Sequence, residues 1–370
     1  MILRLIRHSE TIWNKEWRFQ GSSDVPLSEE GREILRKEVS LPEKVYVTGL
    51  VRTSQTADII FPGVSQIPVP GLNEMDFGIV EGKSHDEMKD NPEYKKWLEN
   101  GRKGAAPGGE SKEEFTERIC NAFEKLISDE SEETMNAVVH GGTIMAALSR
   151  FDIRGRDEYF EYYPANGDGY EIEITGQGSD MKWHIVKHIS YRKDYGYTHL
   201  YYGTGRGKTS AAMGTALRAI ENGYRVFIFQ MCKPEGSFET KFLSQNGAKV
   251  YYGLEKPAFS KTMSDEQKAE VRSSQTDILN SIMKELRDSR GDGVKKLLIL
   301  DEACAALQYG VIDEDTLWDA VLRKPQDTEL ILTGRYPSDW MKRAADYCTE
   351  MVFHAHPKDM GITARPGIDK

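Results

Sequence analysis

The 370-residue sequence is poor in cysteine and has no long apolar run. Its four cysteines, Cys120, Cys232, Cys304 and Cys348, lie far apart without paired spacing, which excludes a disulfide scaffold and is typical of reduced thiols. No stretch approaches the ~20 apolar residues that cross a bilayer. The charged opening over residues 1–8 is unlike a signal peptide. We therefore expect a cytoplasmic protein without a membrane partner.

Positive charge is also scarce, because Lys and Arg total 49 against 59 Asp and Glu, a net charge of −10. Binding to a nucleic-acid backbone needs clustered positive charge, so we expect no nucleic-acid partner. Small anionic substrates held in local basic pockets remain compatible with this balance. Hydrophobic residues at 39% and charged residues at 29% are ordinary for globular proteins. At ~150 residues per domain, the length predicts two domains.

Apolar runs of strand length recur along the chain, each followed by a loop and a helical pattern. They lie at 2–6, 45–47 and 137–139 in the first half, and at 200–202, 226–229, 250–252, 297–300 and 330–332 in the second. Such strands alternating with helices predict parallel sheets covered on both faces. Alternating residues at 171–174 and 183–186 predict an antiparallel pair closing the first sheet. We predict two three-layer α/β domains, at residues 1–194 and 195–370.

Basic groups follow three strands of the first domain. Arg7 and His8 end the first strand, Arg52 follows the second after a short turn, and His140 ends the third. Because the carboxyl ends of parallel strands converge on one crevice, these groups predict a dianion site. Phosphate is the obvious occupant.

A neutral histidine among fixed positive charges can attack phosphorus and form a phosphohistidine. Departure of the alkoxide then requires a proton, so a carboxylic acid is expected nearby. Glu74 is the best candidate for that acid, and Glu81 is the second.

These residues fall within motifs that resemble the histidine phosphatase superfamily over nearly all of residues 1–190. The motifs are Arg7-His8-Ser9-Glu10-Thr11 with Asn14, Gln20-Gly21, Arg52-Thr53-Ser54-Gln55-Thr56-Ala57, Glu74-Met75-Asp76-Phe77-Gly78, Pro107-Gly108-Gly109-Glu110-Ser111 and His140-Gly141-Gly142. The segments at 74–78 and 107–111 look most like the α-ribazole phosphatase branch.

The resemblance assigns roles to individual residues of this chain. It implies a nucleophile at His8, a general acid at Glu74 and a catalytic, phosphate-binding His140. It also implies phosphate binding by Arg7, Asn14 and Arg52. Ser9 departs from the family pattern, which usually has glycine beside the nucleophile, and its side chain would either crowd the pocket or add a hydrogen bond.

A glycine-rich loop lies between a predicted strand and helix of the second domain, with the sequence Gly203-Thr204-Gly205-Arg206-Gly207-Lys208-Thr209-Ser210. Glycines let backbone N–H groups approach phosphate oxygens, Lys208 reaches the outer phosphates, and Thr209 can bind Mg²⁺. The strict phosphate-loop pattern has glycine where this chain has Tyr202. The strand at 297–300 ends in Asp301-Glu302, where nucleotide domains place an acid on the magnesium side. Alternatively, Glu302 caps the next helix.

The loop resembles the Gly-Asn-Gly-Lys-Gly-Lys-Thr loop of ATP:corrinoid adenosyltransferases, whose first glycine is also replaced. The likeness covers roughly residues 197–370 and includes Asp301-Glu302, Thr333-Gly334-Arg335 and Gly361-Ile362-Thr363-Ala364-Arg365. It implies a RecA-like fold, ATP binding by residues 203–210 and Mg²⁺ held by Thr209 and Glu302. It also implies a corrinoid substrate, an electron donor that reduces cobalt, and a corrinoid pocket containing Phe259.

Together the two resemblances predict a bifunctional cobamide enzyme. One site would dephosphorylate α-ribazole 5′-phosphate or a cobamide phosphate, and the other would transfer the adenosyl group of ATP to a Co(I) corrinoid. Two alternatives stay open, a broad phosphomonoesterase fused to a P-loop ATPase of unrelated purpose, and a second domain that only binds corrinoid or ATP as a regulator. A homodimer is compatible with each of them.

Overall fold

The computed structural model describes residues 1–100, 104–155, 159–234, 238–254, 263–355, 357–363, 365 and 367–368. The chain divides into two compact units, Met1–Lys193 and Asp194–Lys370. Each unit contains one six-stranded sheet with helices, which confirms the predicted α/β class of both. No helix in these described ranges is long and apolar enough to span a membrane.

The first unit contains six strands and seven α-helices within its described residues. The strands are β1 (Ile2–Arg7), β2 (Lys44–Val47), β3 (Ser65–Pro68), β4 (Thr134–Val139), β5 (Asp168–Thr175) and β6 (Lys182–Ser190). The helices are α1 (Ile12–Lys15), α2 (Glu29–Glu33), α3 (Val51–Ile60), α4 (His85–Met88), α5 (Pro92–Glu99), α6 (Lys112–Asp129) and α7 (Gly141–Phe151).

The sheet of the first unit has the strand order β3-β2-β4-β1-β5-β6. β1 to β4 run parallel, so the carboxyl ends of β1, β2 and β4 lie at one edge. β5 and β6 run antiparallel at the other side of the sheet, which confirms the predicted closing pair. Helix α7 starts directly after β4, and α6 starts at a capping box in which Ser111 and Glu114 bond each other's backbone N–H.

The second unit contains six strands and six α-helices within its described residues. The strands are β7 (Thr198–Tyr202), β8 (Arg225–Gln230), β9 (Lys249–Tyr252), β10 (Lys296–Asp301), β11 (Thr328–Gly334) and β12 (Tyr347–Glu350). The helices are α8 (Lys208–Glu221), α9 (Phe238–Gln245), α10 (Asp265–Asp288), α11 (Ala303–Gln308), α12 (Glu314–Leu322) and α13 (Asp339–Ala344).

The second sheet is parallel throughout, in the order β12-β7-β11-β10-β8-β9. Its central strand β10 is buried at every residue, as expected for a strand covered on both faces. One face packs against apolar residues of α8 and α9, and the other against residues of α10 to α13. This three-layer arrangement places the ends of β7, β8 and β10 at one edge, where the glycine-rich loop emerges from β7.

Candidate active sites

His8 follows β1 and lines a cavity of about 300 Å³ in the first unit. Its Nδ1 lies 2.7 Å from the carbonyl oxygen of Ser9. Because a carbonyl can only accept, Nδ1 carries the proton and Nε2 keeps its lone pair. Burial, then the charges of Arg52 and Arg7, lower the pKa of His8 well below its ordinary 6.5. His8 is therefore a neutral imidazole, the form in which it can act as a nucleophile.

Arg7 also lines this cavity and has an unused donor. One of its terminal nitrogens donates to the carbonyl of Pro164 at 2.9 Å, and its guanidinium lies 4.5 Å from the ring centroid of Tyr163. Among the described residues, its Nε is buried without a hydrogen-bond partner. An anionic ligand in the cavity would supply that partner, because a buried unpaired donor is costly.

Arg52 and His140 lie beside His8 but do not belong to the described lining of the cavity. Arg52 is fully buried; its Nε donates to His140 Nδ1 at 3.2 Å, and its terminal nitrogens donate to the carbonyls of Ser23 and Gly21, each at 2.7 Å. The imidazole rings of His140 and His8 are 5.2 Å apart. The structure thus brings the four basic residues together, while phosphate contact by Arg52 and His140 stays a prediction.

Glu74 reaches the same cavity beside the start of α7. Its Oε2 accepts from the backbone N–H of Gly142 at 2.8 Å, and its Oε1 accepts from that of Met75 at 3.0 Å. Burial raises the pKa of this carboxyl above its ordinary 4.5 despite those two hydrogen bonds. A raised pKa suits a group that must hold a proton and give it to a leaving alkoxide.

Glu81, the second candidate acid, has a different environment. Its carboxylate accepts hydrogen bonds from the backbone and hydroxyl groups of both Ser22 and Ser23. Burial alone would raise the pKa of Glu81. The hydrogen bonds outweigh burial and lower the pKa, and the largest contribution among them comes from the Ser23 hydroxyl. Glu81 is held as a carboxylate outside the described cavity lining, so the geometry favours Glu74.

Gly142 determines how closely Glu74 approaches α7. A Cβ at Gly142 would lie 2.0 Å from Oε1 of Glu74 and 2.8 Å from its Cδ. We therefore expect Gly142→Ala to displace the carboxyl and lower kcat for an alkyl phosphate by about 100-fold, the usual cost of a misplacement near 1 Å. Steady-state kinetics test this, and Gly214→Ala, at a helical glycine with open space around it and no positive φ, is the control. An unchanged kcat in Gly142→Ala would contradict this placement of the acid.

Ser9 does not crowd the cavity. Its side chain is fully buried, and its hydroxyl donates to the carbonyl of Gly31 at 2.5 Å. Asn14 does line the cavity, and its Oδ1 accepts from Asn166 Nδ2 at 3.1 Å, so its NH₂ is the end left for a ligand. The departure at Ser9 is therefore accommodated behind the site.

Gln20 is a cavity residue that the sequence analysis did not single out. Its Oε1 accepts from the Thr11 hydroxyl at 2.5 Å, while its Nε2 is buried with no partner among the described residues. This orientation leaves an amide donor available to an anion. Its place in the Gln20-Gly21 motif was the only signal for it in the sequence.

The rest of the cavity wall is mainly aromatic, with two cations, Arg18 and Lys112. Its aromatic lining residues are Phe19, Phe77, Trp97, Phe115, Tyr159, Phe160 and Tyr163. The Lys112 ammonium lies 3.9 Å from the ring centroid of Tyr159. Rings of this kind offer stacking surface to a planar leaving group beyond the phosphate.

In the second unit, Gly203 to Gly207 form the loop between β7 and α8, and Lys208, Thr209 and Ser210 form the first residues of α8. Gly203 and Gly207 have φ values of 107° and 111°, which favour glycine. The Lys208 ammonium donates to the carbonyls of Gly203 and Gly205 at 2.8 and 2.6 Å, and burial lowers its pKa. The free N–H groups at the start of α8 are suited to phosphate.

The loop is supported by the segment that follows β12. The N–H of Gly205 donates to the carbonyl of Met351 at 2.6 Å, and a Cβ at Gly203 or Gly205 would lie within 2.7 Å of that backbone. The side chain of Arg206 donates to the carbonyl of Ile368. These contacts fix the loop on one side. Residue 259, predicted for a corrinoid pocket as Phe259, lies outside the described residues.

Asp301, at the end of β10, is the buried centre of polar contacts in the second unit. Its Oδ1 accepts from the hydroxyls of Thr209 at 2.9 Å and Thr333 at 2.7 Å, and its Oδ2 accepts from Gln230 Nε2 at 3.2 Å. The predicted metal-side residue Thr209 therefore contacts Asp301, whereas the sequence analysis paired it with Glu302.

Glu302 has an unusual backbone conformation, with φ at +62°, which non-glycine residues rarely adopt. It occupies the N-cap position of α11, yet its side chain makes no capping hydrogen bond. Burial, then the charge of Asp301, raise its pKa. The helix-cap alternative thus finds no side-chain support, and the role of Glu302 in metal binding stays a prediction.

The oxygen groups of Thr209, Asp301 and Glu302 are of the type that Mg²⁺ prefers. In the described part of the chain, no group of three or more His, Cys, Asp or Glu side chains could hold a metal unaided. This set therefore fits Mg²⁺ that keeps waters and takes further oxygens from a nucleotide.

Two family models match the chain. The model of the histidine phosphatase superfamily (branch 1) matches residues 3–186, and the model of ATP:corrinoid adenosyltransferase BtuR/CobO/CobP matches residues 194–369. The probable phosphoglycerate mutase GpmB of Enterobacter sp. (strain 638) is 37% identical over 128 residues, which cover 32% of this chain and 60% of that protein, less than two thirds of its length.

Two further similarities concern the first unit. The 2,3-bisphosphoglycerate-dependent phosphoglycerate mutase 2 of Gloeobacter violaceus is 34% identical over 165 residues, which cover 41% of this chain and 75% of that protein. The crystal structure of the alpha-ribazole phosphatase from Shigella flexneri is 26% identical, covers 47% of this chain and 91% of that chain, and superposes with a TM-score of 0.43.

Proposed function

The chain belongs to the histidine phosphatase superfamily over residues 3–186 and to the ATP:corrinoid adenosyltransferase family over residues 194–369, and from this membership we propose a bifunctional enzyme of cobamide synthesis or salvage. Its first site hydrolyses α-ribazole 5′-phosphate or a cobamide phosphate. Its second site transfers the adenosyl group of ATP to a Co(I) corrinoid and releases triphosphate. If the phosphatase acts on α-ribazole 5′-phosphate or a cobamide phosphate, both reactions belong to the synthesis of cobamides. The two family memberships then support one pathway.

In the first site His8 Nε2 attacks phosphorus, so that a P–N bond forms while the ester P–O bond breaks. Glu74 gives its proton to the departing alkoxide. Arg7 and Arg52 neutralise the charge on the phosphoryl oxygens, and Asn14 and His140 bind these oxygens as uncharged groups. Glu74, now a carboxylate, takes a proton from the water that hydrolyses the phosphohistidine and is thereby restored. The observation that carries this mechanism is the arrangement of two side chains in one cavity. His8 holds its Nδ1 against the Ser9 carbonyl and keeps the lone pair on Nε2, and Glu74 lines the same cavity as a buried carboxyl whose pKa is raised.

The aromatic cavity wall supports α-ribazole phosphate over phosphoglycerate as substrate. A planar base can stack on these rings, whereas a small carboxylate-bearing sugar acid cannot use them. A panel of α-ribazole 5′-phosphate, 3-phosphoglycerate and simple sugar phosphates tests the assignment by kcat/KM. Preference for α-ribazole phosphate supports it, and similar activity on all esters favours the broad phosphomonoesterase.

The proton donor is tested by Glu74→Gln, which keeps the hydrogen bond from Gly142 but has no proton to give. We expect kcat for an alkyl phosphate to fall by about 10²- to 10⁴-fold. With p-nitrophenyl phosphate, one equivalent of nitrophenolate should still appear in a rapid burst, because that leaving group needs no proton. Loss of the burst as well would assign Glu74 a role in holding phosphate.

The pH dependence follows from the same two shifts. His8 has a lowered pKa, so it stays neutral below pH 6.5 and loses activity only when the pH falls through that lowered value. Glu74 has a raised pKa, so its proton is retained above pH 4.5 and lost as the pH rises through the raised value. We expect a bell-shaped profile of kcat/KM, whose alkaline limb disappears in Glu74→Gln. An alkaline limb that persists in that variant would belong to another group.

In the second site the reduced corrinoid supplies the electron pair that forms the cobalt–carbon bond at the 5′ carbon of ATP, while the bond from that carbon to triphosphate breaks. The protein positions the two substrates and stabilises the leaving triphosphate. Lys208 and the backbone N–H groups at the start of α8 supply this stabilisation, whereas the N–H of Gly205 is already bonded to the Met351 carbonyl. Mg²⁺ bound by Thr209, with Asp301 or Glu302, would neutralise further triphosphate charge. A corrinoid pocket at Phe259, an external electron donor and a homodimer belong to the same proposal.

A further inference from the structure

Lys233, a lysine that the mechanism above does not use, lies against the groups proposed to hold Mg²⁺. It comes three residues after the end of β8, and its Nζ donates to Asp301 Oδ2 at 2.9 Å and to the Thr209 hydroxyl at 3.4 Å. The side chain of Lys233 is 36% exposed, whereas that of Asp301 is fully buried. The Lys233 side chain therefore keeps partial access to solvent, whereas the carboxylate that it contacts has none.

The Asp301 carboxylate does not depend on Lys233 for its hydrogen bonds. Both carboxylate oxygens already accept from neutral groups, Oδ1 from Thr333 and Oδ2 from Gln230. Lys233 adds a positive charge beside the Asp301 carboxylate. The other lysine of the site, Lys208, donates to the carbonyls of its own loop. Among the residues that the structure describes, it is Lys233 that brings positive charge into contact with Asp301.

An ammonium and a divalent cation cannot share these oxygens. Mg²⁺ binds oxygen at about 2.0–2.1 Å and in a fixed geometry, so it needs the space between Thr209 and Asp301 that the ammonium takes. Lysine can leave, because its flexible four-carbon side chain lets the charge move by several ångström. The triphosphate of ATP would offer that charge a new partner on the open side.

We propose that Lys233 is a positioning residue which occupies the cation position between Thr209 and Asp301 until ATP binds. This inference rests on the proposed function of the second site. In the nucleotide-free protein Lys233 neutralises Asp301 and competes with divalent cations for it. When ATP binds, Lys233 moves to the triphosphate and adds to the charge stabilisation supplied by Lys208, while Thr209 and Asp301 become available to the metal. Metal binding and nucleotide binding are thereby coupled through one side chain.

The test measures binding of Mn²⁺ alone to the nucleotide-free full chain by calorimetry. Lys233→Met removes the charge at similar length, and Lys233→Gln removes it while keeping a donor for Asp301. We expect both variants to bind Mn²⁺ at least about tenfold more tightly than the unmodified chain, because a competing charge in contact with the carboxylate is gone. Lys233→Arg, which keeps the charge, should bind Mn²⁺ as weakly as the unmodified chain. Lys241→Met on α9 is the matched control and should also be unchanged.

A parallel titration of the unmodified chain with Mn²⁺ and ATP together distinguishes failure of the Lys233 role from failure of the proposed nucleotide site. Binding of this mixture by the unmodified chain supports the nucleotide site. If Lys233→Met and Lys233→Gln then bind Mn²⁺ alone no more tightly than the unmodified chain binds it, the role of Lys233 is overturned while the nucleotide site stands. Tight binding of Mn²⁺ by the nucleotide-free unmodified chain also overturns that role. If the unmodified chain does not bind the mixture, the proposed nucleotide site falls, and the inference with it.

Discussion

Replacing His8 with alanine is expected to abolish phosphatase activity, with kcat falling by about 10⁴-fold or more, because loss of a nucleophile removes the covalent route. Arg7, Arg52, His140 and Glu74 would all remain in place, yet none of them can form the phosphoryl bond that His8 Nε2 makes. A mass shift of one phosphoryl group on the unmodified chain after rapid quenching should also disappear in the variant.

His85→Ala is the matched control for this variant. His85 lies in the same unit, outside the described cavity lining, with its Nδ1 2.9 Å from the hydroxyl of Tyr94. It should keep nearly full phosphatase activity. Undiminished turnover in His8→Ala would contradict the phosphohistidine mechanism.

Replacing Lys208 with alanine is expected to weaken ATP binding by about 10- to 100-fold, the cost of losing charge-assisted hydrogen bonds to phosphate. The ammonium lies at the centre of the loop, 2.8 and 2.6 Å from the carbonyls of Gly203 and Gly205, where it can turn to the nucleotide. Calorimetry with Mg²⁺ and ATP measures the loss directly.

Lys241→Ala, at an exposed lysine of α9, should leave ATP affinity unchanged. Phosphatase activity should persist in Lys208→Ala, because the two sites belong to separate units. That activity also reports whether the variant chain is folded in its first unit. Unchanged ATP affinity in Lys208→Ala would count against the phosphate-loop assignment.

The central strands were predictable because strands buried on both faces form continuous apolar runs, and β5 and β6 were predictable because their residues alternate. The edge strand β9 was predicted from its apolar run at 250–252, although its residues are only partly buried. β3 and β12 escaped prediction because they have no such run. Both lie at sheet edges, β3 ends in Pro68, and all four residues of β12 are exposed. Without burial there is no apolar pattern to detect.

The convergence of Arg7, His8, Arg52 and His140 was predictable, since each follows a parallel strand. The direction of each side chain was not. Arg52 is turned by the carbonyls of Ser23 and Gly21, which are set by a loop distant in sequence. In the second unit, the sequence shows Asp301 and Glu302 only as two adjacent carboxylates. The structure distinguishes them, because Asp301 accepts a hydrogen bond from Thr209 and Glu302 has a left-handed backbone.

Adenosyl transfer by the second unit is the decisive experiment for two cobamide activities in one chain. The full chain is mixed without oxygen with a Co(I) corrinoid and ATP, and the absorbance of the light-sensitive cobalt–carbon product is followed. We expect the unmodified chain and His8→Ala to form the product with one triphosphate released each time, and Lys208→Ala to form none. Release of ADP and phosphate without this product would exclude adenosyl transfer and favour a P-loop ATPase of another purpose.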